Sequence, residues 1–594
     1  MTEEKYNILF HTQEGQEEFY EQMETDGKTD DSKKVPERNV QVIDRKEDRK
    51  QTYYYLTHEE ADTLRRDSRI KSIEWIEDPD IRWEVNASFT GSIDFARTCS
   101  ETNLNNEVDW AKLRCVVDDW PNGTPANASA SGLNLPRGTY DTGPYDGENV
   151  NVIVVDGHID PDHPEMAVNR DGSGGSRVKQ VNWFADSQYF SGTYSYGSYT
   201  HSDDNHGCHV AGTIAGNTQG WAPKAKIFNV NPLGGSNPNW IYFAYPLTLI
   251  YDSVTNRNSS GAWQTLAGTD PCVVNNSWSS YFAYSFPRNI YLAASGTVVT
   301  ITDTASAAAV GLDTIWDNDQ WKVKVPNDSA AMADDVNDLI NLGMTVCCSM
   351  GNDNVPVIST ARKDATYDPL NYWENYDVSL NGVYSTIDRS YYARGAGLNH
   401  RSNCISVGST WFETHNGLFY DDIKAYYSSK GSRCDIWAPG TCILSSVHTG
   451  AQADARGSGY ALDRYNGTSM STPQVTGMAA RIKSRYPHYT HWDVKQYLIE
   501  TCQRMTVGAD PAGLPEETRN LFYADDFFLR HKPIRARTGI SWPKSTVNYR
   551  KYGAKSNYTI TQTSVTGRPS RNGGNYHLGI KYPRTINRKL HLGA

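Results

Sequence analysis

The chain has 594 residues, 38% of them hydrophobic, and a formal net charge of −12 at pH 7. That length suits roughly two to four domains, and no apolar run reaches the 18 or so residues that a helical membrane span needs; the nearest, 292–312, is interrupted by Asp303. The acidic opening Met1-Thr2-Glu3-Glu4-Lys5 lacks the basic and apolar regions of a secretory signal, and the ten cysteines include no CxxC pair, so reduced thiols and an intracellular or virion-associated setting are expected rather than a disulfide framework.

Residues 1–78 read as a compact α+β unit. Strands are expected at 6–11, 40–43, 51–56 and 70–76, with helices at 15–23 and 57–66, the second opened by the capping box Thr57-His58-Glu59-Glu60. The order β-α-β-β-α-β is ferredoxin-like. Residues 79–146 follow as a linker. Residues 147–505 are expected to form a doubly wound parallel α/β sheet with helices on both faces. Its anchors are the apolar strand 150–155, ending at Asp156, a small-residue helix at 206–216 and a helix at 469–486. Insertions are expected at 281–325 and 353–403, as specificity elements beside the cleft or as plain surface loops. Residues 506–594 form an irregular C-terminal extension. Its part from Arg530 holds fourteen Lys and Arg and no Asp or Glu, so the whole chain's −12 leaves −26 on residues 1–529. Such a tail suits an anionic surface, nucleic acid, or docking onto the acidic body of its own chain or another protein.

Three segments carry the chemistry. In Gly467-Thr468-Ser469-Met470-Ser471-Thr472-Pro473 a small turn sets Ser469 at a helix start, where it is either an N-cap or a nucleophile beside unpaired amides. A hydroxyl nucleophile needs a base, and the base an orienting acid. Upstream stand Asn205-His206-Gly207-Cys208-His209 and Val154-Val155-Asp156-Gly157-His158. A fourth segment is Ser349-Met350-Gly351-Asn352.

The order Asp, His, Ser, with these flanking residues, resembles the subtilisin-like serine proteases, the subtilases. Supporting matches are Asp160-Pro161-Asp162-His163-Pro164, Gly220-Trp221-Ala222-Pro223, Val273-Val274-Asn275-Asn276-Ser277-Trp278 and Asp435-Ile436-Trp437-Ala438-Pro439-Gly440. The resemblance implies a serine endopeptidase acting on polypeptides, with Asp156, His206 and Ser469 as catalytic triad and Asn352 as oxyanion donor. It also implies substrate contacts at Asn275, Ser277, Trp278, Ser279, Ser349 and Gly351, with Trp278 either a pocket wall or a core residue. Residues 1–78 are then similar to an inhibitor-type propeptide, which makes the chain a precursor inhibited by its own N-terminal domain. An unrelated α+β domain is the alternative. No cofactor is required; Asp203, Asp204 and Asp353 are acidic enough for structural calcium, but no ligand set is assigned. Four departures stand out: His158, Asn205, Cys208 and Ser279 occupy positions where the family usually has other residues. The alternative function is a structural or assembly component of virion type that carries a subtilase domain, with the basic tail as docking arm.

Overall fold

The computed structural model describes residues 3–24, 41–45, 50–76, 81–85, 110–116, 128–129, 132–133, 145–180, 205–231, 270–292, 297–309, 312–327, 329–354, 357, 378–380, 383–385, 398–415, 418–431, 433–450, 452–504 and 520–521. The basic tail, most of the 353–403 insertion and the pair Asp203-Asp204 lie outside them. No helix among the described residues is long and apolar enough to cross a membrane.

The N-terminal unit consists of β1 (Glu4–Phe10), α1 (Gln13–Glu24), β2 (Gln41–Arg45), β3 (Gln51–Leu56), α2 (His58–Leu64) and β4 (Ile70–Trp75). The strands pair antiparallel in the order β2-β3-β1-β4, the ferredoxin-like arrangement. Tyr6, Ile8 and Phe10 of β1 point to one face by the two-residue period of a strand, and they pack with Phe19, Tyr54, Leu64 and Ile73. The Thr57 hydroxyl accepts from the Glu60 amide while the Glu60 carboxylate accepts from the Thr57 amide, so the capping box closes at both ends.

Two segments of the expected linker are ordered parts of the fold. β5 (Ile81–Val85) is an edge strand of a second sheet described below. α3 (Trp110–Val116) buries Ala111 and Cys115 in the main apolar core, and Lys112 Nζ donates to the Gly220 carbonyl at 2.7 Å.

The large domain is built on β6 (Asn151–Val155), β7 (Val178–Gln180), α4 (His206–Ala215), β8 (Lys226–Val230), β9 (Cys272–Asn276), β10 (Trp278–Ser285), β11 (Asp313–Asp317), β12 (Gln320–Pro326), α5 (Ala330–Asn341), β13 (Thr345–Ser349), β14 (Ile405–His415), β15 (Ile436–Pro439), β16 (Ile443–Val447), β17 (Ala461–Tyr465), α6 (Thr468–Arg485) and α7 (His491–Thr501). Seven strands form a parallel sheet in the order β7-β8-β6-β9-β13-β14-β15. β6 is wholly buried, as the unbroken apolar run 152–155 requires of a strand covered on both faces. The chain leaves β6 toward β8 and β7 on one side, then crosses back to β9 on the other. That reversal opens a crevice beyond the carboxyl ends of β6 and β9. α6 is buried from Thr468 to Lys483 and packs against α4 and strands β9, β13, β14 and β15.

The expected insertion at 281 begins within a strand. β10 runs unbroken through Tyr281 to Ser285, with β12 on one edge and β5 on the other, in a sheet ordered β11-β12-β10-β5. The hairpin β11–β12 therefore braces the strand that follows the crevice instead of looping away from it. The N-terminal unit docks on α5 through polar contacts. The Glu74 carboxylate accepts from Ser329 Oγ at 2.5 Å and from the Ala331 amide at 3.1 Å, which caps the helix N-terminus. Lys50 and Lys71 pair with Asp334, and Gln51 Nε2 donates to Asp335 Oδ1 at 2.8 Å.

Two buried imidazoles make this domain acid-sensitive. Burial pulls His209 from its ordinary 6.5 down to about 3, against the opposing hydrogen bond to the Ile443 carbonyl. His491 is likewise drawn by burial to about 3, helped by the Lys495 charge. An unfolded chain protonates both rings below about 6.5, whereas the folded domain resists protonation until about 3. Stability from the neutral rings is thus full above pH 6.5 and is lost progressively as pH falls toward 3. A His209→Gln variant is expected to show a shallower fall of unfolding free energy between pH 6.5 and 3, measured by urea titration; a slope equal to wild type would contradict this.

Candidate active site

Asp156 directly follows β6 and His206 opens α4, so the strand end and the helix start bring the carboxylate and the imidazole together. His206 Nδ1 lies 2.7 Å from Asp156 Oδ1, with both side chains buried. A carboxylate can only accept, so the shared proton sits on Nδ1 and the lone pair on Nε2, the tautomer that a general base requires. The Gly157 amide donates to the same carboxylate oxygen at 2.8 Å. This close fit depends on Gly207: a Cβ there would stand 2.6 Å from the Gly157 carbonyl oxygen and 2.7 Å from that of His158.

Ser469 is the second residue of α6, after Gly467, whose φ of 150° favours glycine. Pro473 lies inside this helix and has no amide hydrogen for the Ser469 carbonyl four residues back. The Ser277 hydroxyl fills that place, donating to the Ser469 carbonyl at 3.2 Å. In return Ser469 Oγ donates to the Ser277 carbonyl at 2.7 Å. The nucleophile turn is thereby tied to the break between β9 and β10. Beneath it, the Tyr427 hydroxyl accepts from the Gly467 amide at 3.0 Å and donates to the Gly440 carbonyl at 2.8 Å.

Asn352 is oriented through its oxygen. Oδ1 accepts from the Thr468 amide at 3.0 Å and from Thr468 Oγ1 at 2.9 Å, which leaves the Nδ2 hydrogens as the outward donors. Thr468 Oγ1 also accepts from the Gly351 amide at 3.2 Å, and Gly351 has a φ of 91°. Sequence reasoning did not single out Thr468, although its place between Gly467 and Ser469 and its two hydrogen-bonding functions were visible.

The remaining expected contacts divide. Ser279 lies in β10, paired with Glu84 of β5, and Trp278 pairs with Val85. Trp278 is 2% exposed with β5 paired beside it. The Asn275 amide is used internally, donating to Ser277 Oγ at 2.9 Å and accepting from Thr476 Oγ1 at 2.8 Å. Ser349 is buried, and its carbonyl accepts from Asn399 Nδ2 at 2.8 Å.

The acid loop has its own anchor. Burial pushes the Glu165 carboxyl up, but the Arg456 guanidinium and hydrogen bonds from Thr218 and Gln219 outweigh it and hold the group at about 2. Among the described residues no three His, Cys, Asp or Glu side chains gather into a metal-sized cluster, and Asp353 is paired with Lys324 at 2.9 Å.

Residues 147–523 match the profile of the Subtilase family. Subtilisin E of Bacillus subtilis (strain 168) is 24% identical over 365 residues, which span 60% of this chain and 61% of that protein. A subtilisin of Bacillus pumilus is 40% identical over 78 residues, covering 13% of this chain and 25% of the relative. The chain thus spans about three fifths or less of the length of these curated relatives. Among solved structures, fervidolysin from Fervidobacterium pennivorans, a keratinolytic enzyme related to subtilisin, is 17% identical with a TM-score of 0.44, over 88% of this chain and 60% of that one. A cold adapted subtilisin-like serine proteinase is 19% identical with a TM-score of 0.36, over 70% of this chain and 98% of that one.

Proposed function

The chain belongs to the subtilase family, and from that membership and the geometry of its crevice we propose that it is a serine endopeptidase, made as a precursor. The observation that carries the reading is the 2.7 Å contact between buried Asp156 and His206, on the helix α4 that packs against α6, which bears Ser469. Ser469 Oγ turns from the Ser277 carbonyl toward His206, attacks the scissile carbonyl and gives its proton to Nε2. The imidazolium, held by Asp156, returns that proton to the leaving amine. Water then repeats the sequence on the acyl-enzyme and releases the acid. The oxyanion receives hydrogen bonds from Asn352 Nδ2 and the Ser469 amide, the latter helped by the partial positive charge of the α6 terminus.

β10 is the strand on which an extended polypeptide adds. β5 already lies on it, antiparallel, with Ile81 opposite Phe282 and Val85 opposite Trp278. Its direction carries the chain toward Ser277, whose carbonyl holds the Ser469 hydroxyl. The N-terminal unit is therefore the intramolecular inhibitor, seated on α5 by Glu74 and the Asp334 ion pairs. Processing is bounded on both sides. It falls beyond Val85, where the paired strand ends, and before Trp110, because α3 belongs to the large domain's core.

A fluorophosphonate probe is expected to label the processed protein at Ser469 and to leave Ser469→Ala unlabelled and inactive. Asn352→Ala is expected to lower kcat about 100- to 1000-fold, a magnitude known from the oxyanion asparagine of subtilisin itself. Labelling that survives Ser469→Ala would overturn the assignment. Mass spectrometry of the wild-type chain is expected to find a cut between residues 86 and 109, and none in Ser469→Ala; a cut C-terminal to residue 116 would contradict the proposed role of β5.

A further inference from the structure

Asn205 stands one residue before the base and is a residue type that commonly caps helices, yet its side chain makes no capping hydrogen bond to α4. It reaches instead to the turn after β16. Oδ1 accepts from the His448 amide at 2.8 Å and the Thr449 amide at 3.4 Å, and Nδ2 donates to the Thr449 carbonyl at 2.9 Å. A glycine at this position would make none of these bonds. The same turn grips the acid loop: His448 Nδ1 lies 3.0 Å from Asp160 Oδ2, with side-chain exposures of 19% and 7%. Asp160 is fixed in turn by the Asp162 amide, which donates to its Oδ1 at 2.9 Å. β16 runs on along α4, where Ser446 Oγ donates to the Cys208 carbonyl at 2.9 Å and Ser445 Oγ to the His209 carbonyl at 2.7 Å.

We infer that Asn205 is a positioning residue for His206: through the turn at 448–449 and the His448–Asp160 contact it ties the base to the acid loop by a second route, parallel to the Asp156–His206 hydrogen bond. The inference rests on the proposed role of His206. Its chemistry is geometric. The imidazole has one hydrogen bond to its acid and must hold Nε2 toward the nucleophile, and an offset on the order of 1 Å in such a constellation lowers rates about 100-fold. A side chain that fixes the backbone at the residue before His206 limits that offset. Both polar ends of the Asn205 side chain are engaged by the turn at 448–449, so its effect is expected on turnover and not on binding.

The test uses the full processed chain and three variants, Asn205→Gly, Asn205→Asp and His448→Ala. Asn205→Gly is expected to lower kcat about 10- to 100-fold with KM within about two-fold of wild type, and to slow fluorophosphonate labelling by the same factor. Asn205→Asp keeps both acceptor bonds but turns a carboxylate oxygen toward the Thr449 carbonyl, and is expected to recover part of the rate. His448→Ala added to Asn205→Gly is expected to cost little more than Asn205→Gly alone, because both cut one connection. Wild-type kcat in Asn205→Gly, or a loss that Asn205→Asp does not recover and that tracks a lowered Tm, would overturn the inference. Absence of labelling in the wild-type protein would instead overturn the peptidase reading on which it rests.

Discussion

The contact between Asp156 and His206 constrains everything around it. It joins the end of the central strand β6 to the first residue of α4, so strand and helix must approach until side chains longer than hydrogen no longer fit at Gly207. An isolated buried carboxylate is costly, and charge-assisted hydrogen bonds, worth about 1.5 to 3 kcal/mol each, offset that cost. Asp156 receives two, from His206 and from the Gly157 amide. The bond to His206 also fixes the imidazole tautomer, so one contact both offsets the burial of the carboxylate and orients the ring.

The nucleophile side is held by a different device. Pro473 removes one helical hydrogen bond, and Ser277 takes up the carbonyl thus freed while accepting the Ser469 hydroxyl. A break in the sheet edge, between β9 and β10, is therefore locked to the start of α6. Thr468 adds a second lock to the loop of Asn352. These hydrogen bonds tie the helix start to both strand ends, and the extended strand β10 leads away from it with β5 alongside. β5 pairs with β10 while Glu74 caps α5, so the N-terminal unit and the segment after it both contact the large domain.

Much of this was legible in the sequence, for reasons that differ by residue. Asp156, His206 and Ser469, the proposed acid, base and nucleophile, stand out because those roles admit few residue types and because each residue follows a strand or opens a helix. The N-terminal strands and the Thr57–Glu60 capping box follow from local periodicity and local hydrogen bonding. β5 and α3 were not legible. Ile81–Val85 becomes a strand only by pairing with residues some two hundred positions downstream, and Trp110–Val116 only by burying Ala111 and Cys115 in a distant core. Tyr281 read as the start of an insertion because the edge partner that keeps it in β10 lies at 326. Asn205 read as a mere departure, since its partners at 448–449 are remote in the chain. Local chemistry was visible; long-range pairing was not.

The most direct measurement is the proton NMR signal of the His206 Nδ1–H. A buried imidazole donating to a carboxylate shifts this proton far downfield. The account expects one such resonance in the wild-type protein that disappears in both His206→Ala and Asp156→Ala. A wild-type spectrum without it, or a resonance that survives Asp156→Ala, would contradict the claim that Asp156 holds the base.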